Sequence, residues 1–516
     1  MPRTLTIPTT TISTAGARNN HSAAVVVYWR EPHFFAKIPP MSTIRIFQVL
    51  ALAAVFAGCG TFHAVREARS AQKAYADRGI GAETRSGNVD LKGYNLAQLV
   101  DFALANRPSM VRARLAVEDA RIALRQVAAD APLLSSTPWG AFDASASIGR
   151  SEASKSGYSL HGKTDGSASG SLSLDILIYD FGRNAAEACA LSEKVIAAET
   201  TLISAGYSVF EEVSTGYFTL LRNEALFEVA LTNKAEYAEH LEQAELRKEQ
   251  GEAKELDVLK AKLDLAKAVQ NLVAASNDVV TAGAELMAAL GVDAAAGDFR
   301  TVLGPRDANL TQLFRSLADT SYGASELYGV ACTNAPSVQT ARAQLRAASH
   351  EVDAAVANLY PTLSASIALN WADPLWYWRW GVNGAMSLFT GWRKTAAVER
   401  ATIALDSAAY SVEAAELDLS RDIELAVAER DNALEALEAA RTSVKSGKEN
   451  LDTVREQYQV GDVSRIEFTD AVAGYASALG DRVRAFYRGQ IAEAKLFRVV
   501  GRWPEYTEET ISEDEK

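Results

Sequence analysis

The chain has 516 residues, 48% hydrophobic and 23% charged, and a net charge of −13. That composition excludes a disordered polymer, the acidic balance excludes a nucleic-acid binder that works through a basic surface, and three cysteines cannot build a disulfide framework. A mean hydropathy of −0.06, with no apolar run reaching the ~20 residues of a spanning helix, excludes a bundle of membrane helices.

Residues 1–40 are far too long for the charged region that precedes a signal sequence, whereas Met41 opens "MSTIRIFQ", which fits one. Translation is therefore expected to start at Met41, leaving 1–40 as a non-native extension and 41–58 as a signal peptide. Its apolar run, Ile46 to Gly60, follows Arg45 and ends in small residues and Cys59. The ending "FAGC" resembles the lipobox of bacterial lipoproteins, with Phe56 where Leu is more usual. That resemblance implies a lipidated (palmitate-bearing) Cys59 as mature N-terminus and 59–90 as the lipidated leading segment. An ordinary cleaved signal is the alternative. Cys189 and Cys332 lie in helix-like or connecting sequence and are expected to be inert, buried thiols.

An internal repeat follows. "ALANRPSMVRARLAVEDARIAL" is echoed by "ACTNAPSVQTARAQLRAASHEV", so that Asn106 and Pro108 match Asn334 and Pro336 at an offset of 228 (334 less 106). Arg183 and Arg393, Gly251 and Gly461, Gly291 and Gly501 then match at an offset of 210 (393 less 183). The 18-residue change (228 less 210) falls between the prolines and the arginines, so the first copy carries the longer loop there. The first repeat is assigned to 91–291, a connecting segment to 292–333, the second repeat to 334–503 and an acidic tail, expected to be disordered, to 504–516.

Each copy begins with a helix, Leu96 to about Asp130 and Ser337 to about Leu359, stopped by Pro132 or Pro361. Strand pairs at 141–181 and 362–389 come next. In "SASGSLSLDILIYDFGR", Leu172, Leu174, Ile176 and Ile178 alternate with Ser169, Ser171, Ser173 and Asp175. The second copy sets Leu363, Ala365, Ile367, Leu369 and Trp371 on one face, answered by Trp378, Trp380, Val382, Met386 and Leu388 on the return strand. The apolar faces so read hold no lysine or arginine. Long helices without proline follow at 183–250 and 393–460, each about 100 Å at 1.5 Å per residue. Shorter helices return over 252–290 and 462–500. The rows Val195, Ala198, Leu202, Ala205, Val209 and Leu405, Ala408, Val412, Ala415, Leu419 have coiled-coil spacing.

Strands of about 10 residues have the length that crosses a bilayer when tilted. Four cannot close a barrel, and lipid does not tolerate an open edge. Partner copies are therefore required. The order Asn-x-Pro helix, strand pair, "YDFGR" or "FTGWR", long rod, "EQGEAKELDVLKAK" or "EQYQVGDVSRIEFTDA", then "ALG" or "VVG" resembles the TolC family of outer-membrane export ducts, and its lipid-anchored branch in particular. The resemblance runs from about Asp90 to Trp503. It implies a mixed, mainly α fold with four transmembrane strands per chain, closing as a homotrimeric 12-stranded β-barrel over a periplasmic α-barrel. It also implies a periplasmic adaptor and an inner-membrane pump as partners, outer-membrane lipid around the strands, and neither a cofactor nor catalysis.

Carried over residue by residue, the resemblance implies turns at Gly251 and Gly461 and an acidic entrance of Asp257, Glu467 and Asp470. Val463 stands where the family's gate arginine is expected, with Arg465 the nearest substitute, and Leu256 stands where a hydroxyl is expected. A symmetric ring of carboxylates at a narrow mouth would select cations, and crowding would raise their pKa values. Ser464-Arg465-Ile466-Glu467 is equally a capping-box pattern, and Asp470 equally a solvated residue. Trp376, Tyr377, Trp378 and Trp380 suit a membrane-interface belt, with packing of a hairpin as the bland alternative. The six histidines, His240 among them, show no ligand or triad spacing. Efflux in a tripartite system, type I protein secretion through the same fold, and a structural coiled-coil lipoprotein remain as functional readings, in that order.

Overall fold

The computed structural model describes residues 25–26, 66–70, 72, 91–130, 142–151, 167–250, 254–292, 299–300, 324–372, 375–460 and 462–504. Of the expected extension 1–40 only Val25 and Val26 are described, and the expected signal segment 41–58, Cys59, Gly251, Gly461 and nearly all of the acidic tail lie outside the described residues. Two compact units are resolved, one comprising 1–32, 120–195 and 344–409, the other 33–119, 196–343 and 410–516.

The first unit holds the sheet. Strand β1 (Val25–Val26) is a two-residue pairing with Asn383 and Gly384 at one edge; β2 (Phe142–Ser151), β3 (Ser167–Tyr179), β4 (Thr362–Ala372) and β5 (Leu375–Ala385) are antiparallel neighbours in the order β1-β5-β4-β3-β2. The register sets Ala144, Leu174, Ile367 and Trp380 in one row across the sheet and Ser145, Ser173, Ala368 and Arg379 in the next. The alternation in the sequence thus becomes one apolar and one polar face. Three details differ from the sequence expectation. Strand β2 reaches Ser151 and pairs Arg150 with Ala168, so an arginine stands in line with apolar positions expected to hold neither lysine nor arginine. The ladder slips between Leu177 and Tyr179, so the bulge at Ile178 brings Tyr179 rather than Ile178 opposite Leu363. Strand β5 stops at Ala385, leaving Met386 and Leu388 exposed beyond it.

Two helices precede each strand pair instead of one. They are α1 (Leu96–Asn106) and α2 (Pro108–Ala129), then α5 (Ala324–Asn334) and α6 (Pro336–Ala357). A proline disfavours helical backbone in the residue before it. Arg107 is accordingly extended, at φ −68° and ψ 131°, and each proline starts a new helix. The second copy therefore begins ten residues before Asn334, at the 228 offset from Leu96 to Ala324.

The return from strand to rod is the same in both copies. Phe181 and Gly182, then Gly391 and Trp392, are consecutive residues at positive φ, each pair with its glycine at the other position. A left-handed non-glycine residue costs roughly 1–2 kcal/mol. At Phe181 the ring contacts Tyr360 at 5.3 Å and Tyr179 at 4.9 Å. The Asp180 carboxylate accepts from the N–H groups of Gly182 (3.1 Å) and Asn184 (2.8 Å), starting helix α3.

Helices α3 (Arg183–Glu249) and α7 (Arg393–Val460) are followed by α4 (Glu255–Leu290) and α8 (Arg465–Val500). The heptad rows are half-buried until Val209 and Leu419, which are buried. In the second unit a core of Leu99, Phe210, Phe218, Leu286, Ile423 and Tyr487 joins α1, α3, α4, α7 and α8. Both return helices end on left-handed glycines, Gly291 and Gly501. Cys332 is half-buried, but Cys189 is exposed, because its neighbour Ala190 takes the inward position on α3. Among the described residues no helix is long and apolar enough to cross a membrane.

Candidate functional site

The candidate site residues fall in two regions, and the first is the sheet. Of the strand residues whose burial is described, 171–179, 362–370 and 376–385, none is buried. Trp376, Trp378 and Trp380 are 56%, 58% and 67% exposed, and Ile367 and Val382 join them. Uncovered apolar rows of this kind normally mark an interaction surface.

The second region is where the two helical hairpins end. Glu467 is the N3 residue of a full capping box: its N–H donates to Ser464 Oγ at 3.4 Å, and its carboxylate accepts from the Ser464 N–H at 3.2 Å. The structure therefore realises the capping role that the tetrapeptide predicts, with the rest of the side chain exposed. Asp257 lies half-buried in the first turn of α4, where an anion is favoured by the helix dipole. Asp470 is exposed on α8.

Arg465 is not directed at any of these carboxylates. Its Nη1 pairs with Asp264 Oδ2 of α4 at 2.9 Å, and the two side chains keep only 17% and 21% exposure. Arg455 of α7 pairs with Glu236 of α3, and Arg247 of α3 donates to the Tyr458 carbonyl at 3.1 Å while stacking over its ring at 4.6 Å. Three polar contacts thus tie the α3/α4 hairpin to the α7/α8 hairpin. Beneath them Leu451, Tyr458, Phe468, Ala471 and Val472 form a small apolar cluster. Burial pushes the Tyr458 phenol up; Arg247 and Arg465 oppose that shift and Asp257 adds to it. The Tyr237 phenol is likewise raised by burial, then by Asp264 and Asp470. Asp257 and Arg465 thus act on Tyr458 through their charges, beside the direct contact of Arg247, and Asp470 and Asp264 act likewise on Tyr237.

Sequence reasoning missed Asp264, Glu236, Arg455 and Tyr458. Asp264 follows Asp257 by seven residues on the same helix, a spacing visible in the sequence, but its partner lies 201 positions away. Among the described residues no group of histidine, cysteine and carboxylate side chains could hold a metal ion.

No curated protein matches the chain in sequence. Solved structures similar to it include the outer membrane protein VceC of Vibrio cholerae, at 20% identity and a TM-score of 0.66, covering 79% of this chain and 96% of that one. The CmeC outer membrane channel of Campylobacter jejuni is similar at 18% identity and a TM-score of 0.67, covering 79% and 86%. The open-state MtrE outer membrane channel of Neisseria gonorrhoeae is similar at 20% identity and a TM-score of 0.60, covering 82% and 93%. The sequence pattern of outer membrane efflux proteins matches residues 99–292 and 327–502, so well over half of the chain is accounted for. By that match the chain belongs to the outer membrane efflux protein family, transport ducts of the Gram-negative outer membrane that are not enzymes.

Proposed function

We propose that three copies close their sheets into a 12-stranded barrel and their rods into an α-barrel, forming a passive duct anchored by lipid on Cys59. The duct receives substrate from a periplasmic adaptor and an inner-membrane pump. The observation that carries this reading is the exposure of the apolar row residues Ile367, Trp378, Trp380 and Val382, together with β2 standing at an edge of the sheet among the described residues. Rows of exposed apolar residues on the helices support it. Ile403, Tyr410 and Leu417 on α7, and Leu259, Ala266, Val273 and Val280 on α4, repeat every seven residues and remain exposed. That is the spacing of a seam with another helix. Trp376, Tyr377, Trp378 and Trp380 sit at the membrane interface, the turns at Gly251 and Gly461 form the periplasmic ends, and Asp257, Glu467 and Asp470 line the entrance. Detergent-extracted full chain should have the mass of a trimer and give discrete conductance steps in a planar bilayer. A monomer soluble without detergent overturns the reading.

A further inference from the structure

His240 on α3 is 1% exposed, and neither ring nitrogen has a hydrogen-bond partner among the described residues. Its ring lies 5.1 Å from that of Phe468 on α8 and 5.6 Å from that of Tyr458 on α7, and those two rings stack on each other at 4.9 Å. A neutral imidazole has one donor and one acceptor nitrogen. Leaving such groups buried and unused costs about 1–3 kcal/mol each. An apolar ring would fill the same place without that cost. What histidine adds is a charge that can be switched on between about pH 5 and 8.

The surroundings are arranged against that charge. Burial holds the imidazole below its ordinary pKa, and Arg465 of α8 and Arg247 of α3 push the same way. Asp264 of α4 opposes them, but that carboxylate is already paired with Arg465. Glu236 of α3 is likewise paired with Arg455 of α7, Glu239 of α3 is exposed, and the Tyr458 phenol of α7 stays neutral because burial raises its pKa. Beside the ring, Glu236, Glu239, Gln243 and Arg455 border a cavity of about 10 Å³. That is close to the least space a single water molecule needs.

We propose that His240 is a proton-operated latch between the α3/α4 and α7/α8 hairpins. Neutral, it completes the aromatic stack and holds them together; protonated, it drives them apart. Once the hairpins separate, the imidazole meets water and titrates near its ordinary value of about 6.5. The separated state therefore binds more protons than the packed one. Packing is favoured in full above that ordinary value and is lost as pH falls through it towards the lower value of the packed state. One differentially bound proton shifts the equilibrium by at most about tenfold per pH unit.

The consequence, an opening duct, rests on the function proposed above; the test of the latch does not. Backbone hydrogen exchange of the full chain in detergent, corrected for intrinsic rates, is compared at about pH 7.5 and 5.5, on either side of the ordinary histidine value. Protection around residues 236–247 and 454–470 should fall by up to about tenfold at the lower pH. In His240→Phe it should not change. Parallel profiles for the two proteins overturn the latch. Should His240→Phe fail to assemble, C2-proton exchange of the histidines in the unaltered protein decides: slow exchange with a depressed titration supports the latch, and an ordinary titration overturns it. A chain that behaves as expected here yet passes no current at any pH keeps the latch and rejects the duct.

Discussion

Neutralising Asp264 should loosen the contact between the hairpin ends more than any change at the exposed carboxylates Glu467 and Asp470. The Arg465–Asp264 pair is 2.9 Å long and about four-fifths buried, and it joins α8 to α4. A charge-assisted hydrogen bond of this kind contributes about 1.5–3 kcal/mol. Lys267 lies 3.9 Å from the same carboxylate but is 65% exposed, so it offers little compensation. Asp264→Asn keeps the shape while leaving the arginine without its counter-charge. At about 1.4 kcal/mol per factor of ten, local opening should become about 10- to 100-fold more frequent in each protomer. Hydrogen exchange of the backbone over 254–264 and 458–470 reads that opening directly. The mutant cycle with Arg465→Met supplies the control, because a pair acting as a unit gives a double variant no looser than either single one. Additive effects, or unchanged exchange in Asp264→Asn, would show that the pair is incidental and that the aromatic cluster alone holds the ends together.

Lysine at Ile367, in the row with Leu174 and Trp380, should cost about 2–4 kcal/mol if that row meets lipid. Lysine at Ser366, opposite Asp175 on the other face, should be tolerated, and the yield of heat-resistant oligomer in the outer membrane separates the two. Glu467→Ala combined with Asp470→Ala should lower cation preference in single-channel recordings; an unchanged reversal potential rejects the entrance assignment. Gly283→Ala places a methyl group 2.3 Å from the Phe299 ring and should lower stability by about 1–3 kcal/mol in thermal unfolding. Adding Phe299→Ala should remove that clash, and a single variant as stable as the unaltered chain would refute the packing.

Most of the architecture was legible because it repeats. The offset of 210 holds from Arg183 to Arg393 and from Gly291 to Gly501, and the offset of 228 carries Leu96 to Ala324. The strands were legible because period-two alternation is a local property of the chain. The bulge at Ile178 was not, since it exists only relative to Leu363 on β4. The break at Arg107 could have been read from Pro108, but proline is also allowed in the first turn of a helix, and a single longer helix absorbed it. At the hairpin ends the capping box of Ser464 and Glu467 was local and visible. The Arg465–Asp264 and Arg455–Glu236 pairs are set by how distant segments meet, and neither partner stands out alone. His240 was noticed only as one of six scattered histidines, because what distinguishes it is the company of Tyr458 and Phe468.

The constancy of the 210 offset from the left-handed residues at 181–182 to the closing glycine at 501 says where length can change. An epitope tag spliced into either rod would slide every later heptad past its counterpart, unless the other copy received the same insertion. The stretch between Ser151 and Ser167 is under no such obligation, for its 15 residues (152–166) correspond to only two (373–374) between the strands of the second copy. It is the natural place to attach a reporter to this chain.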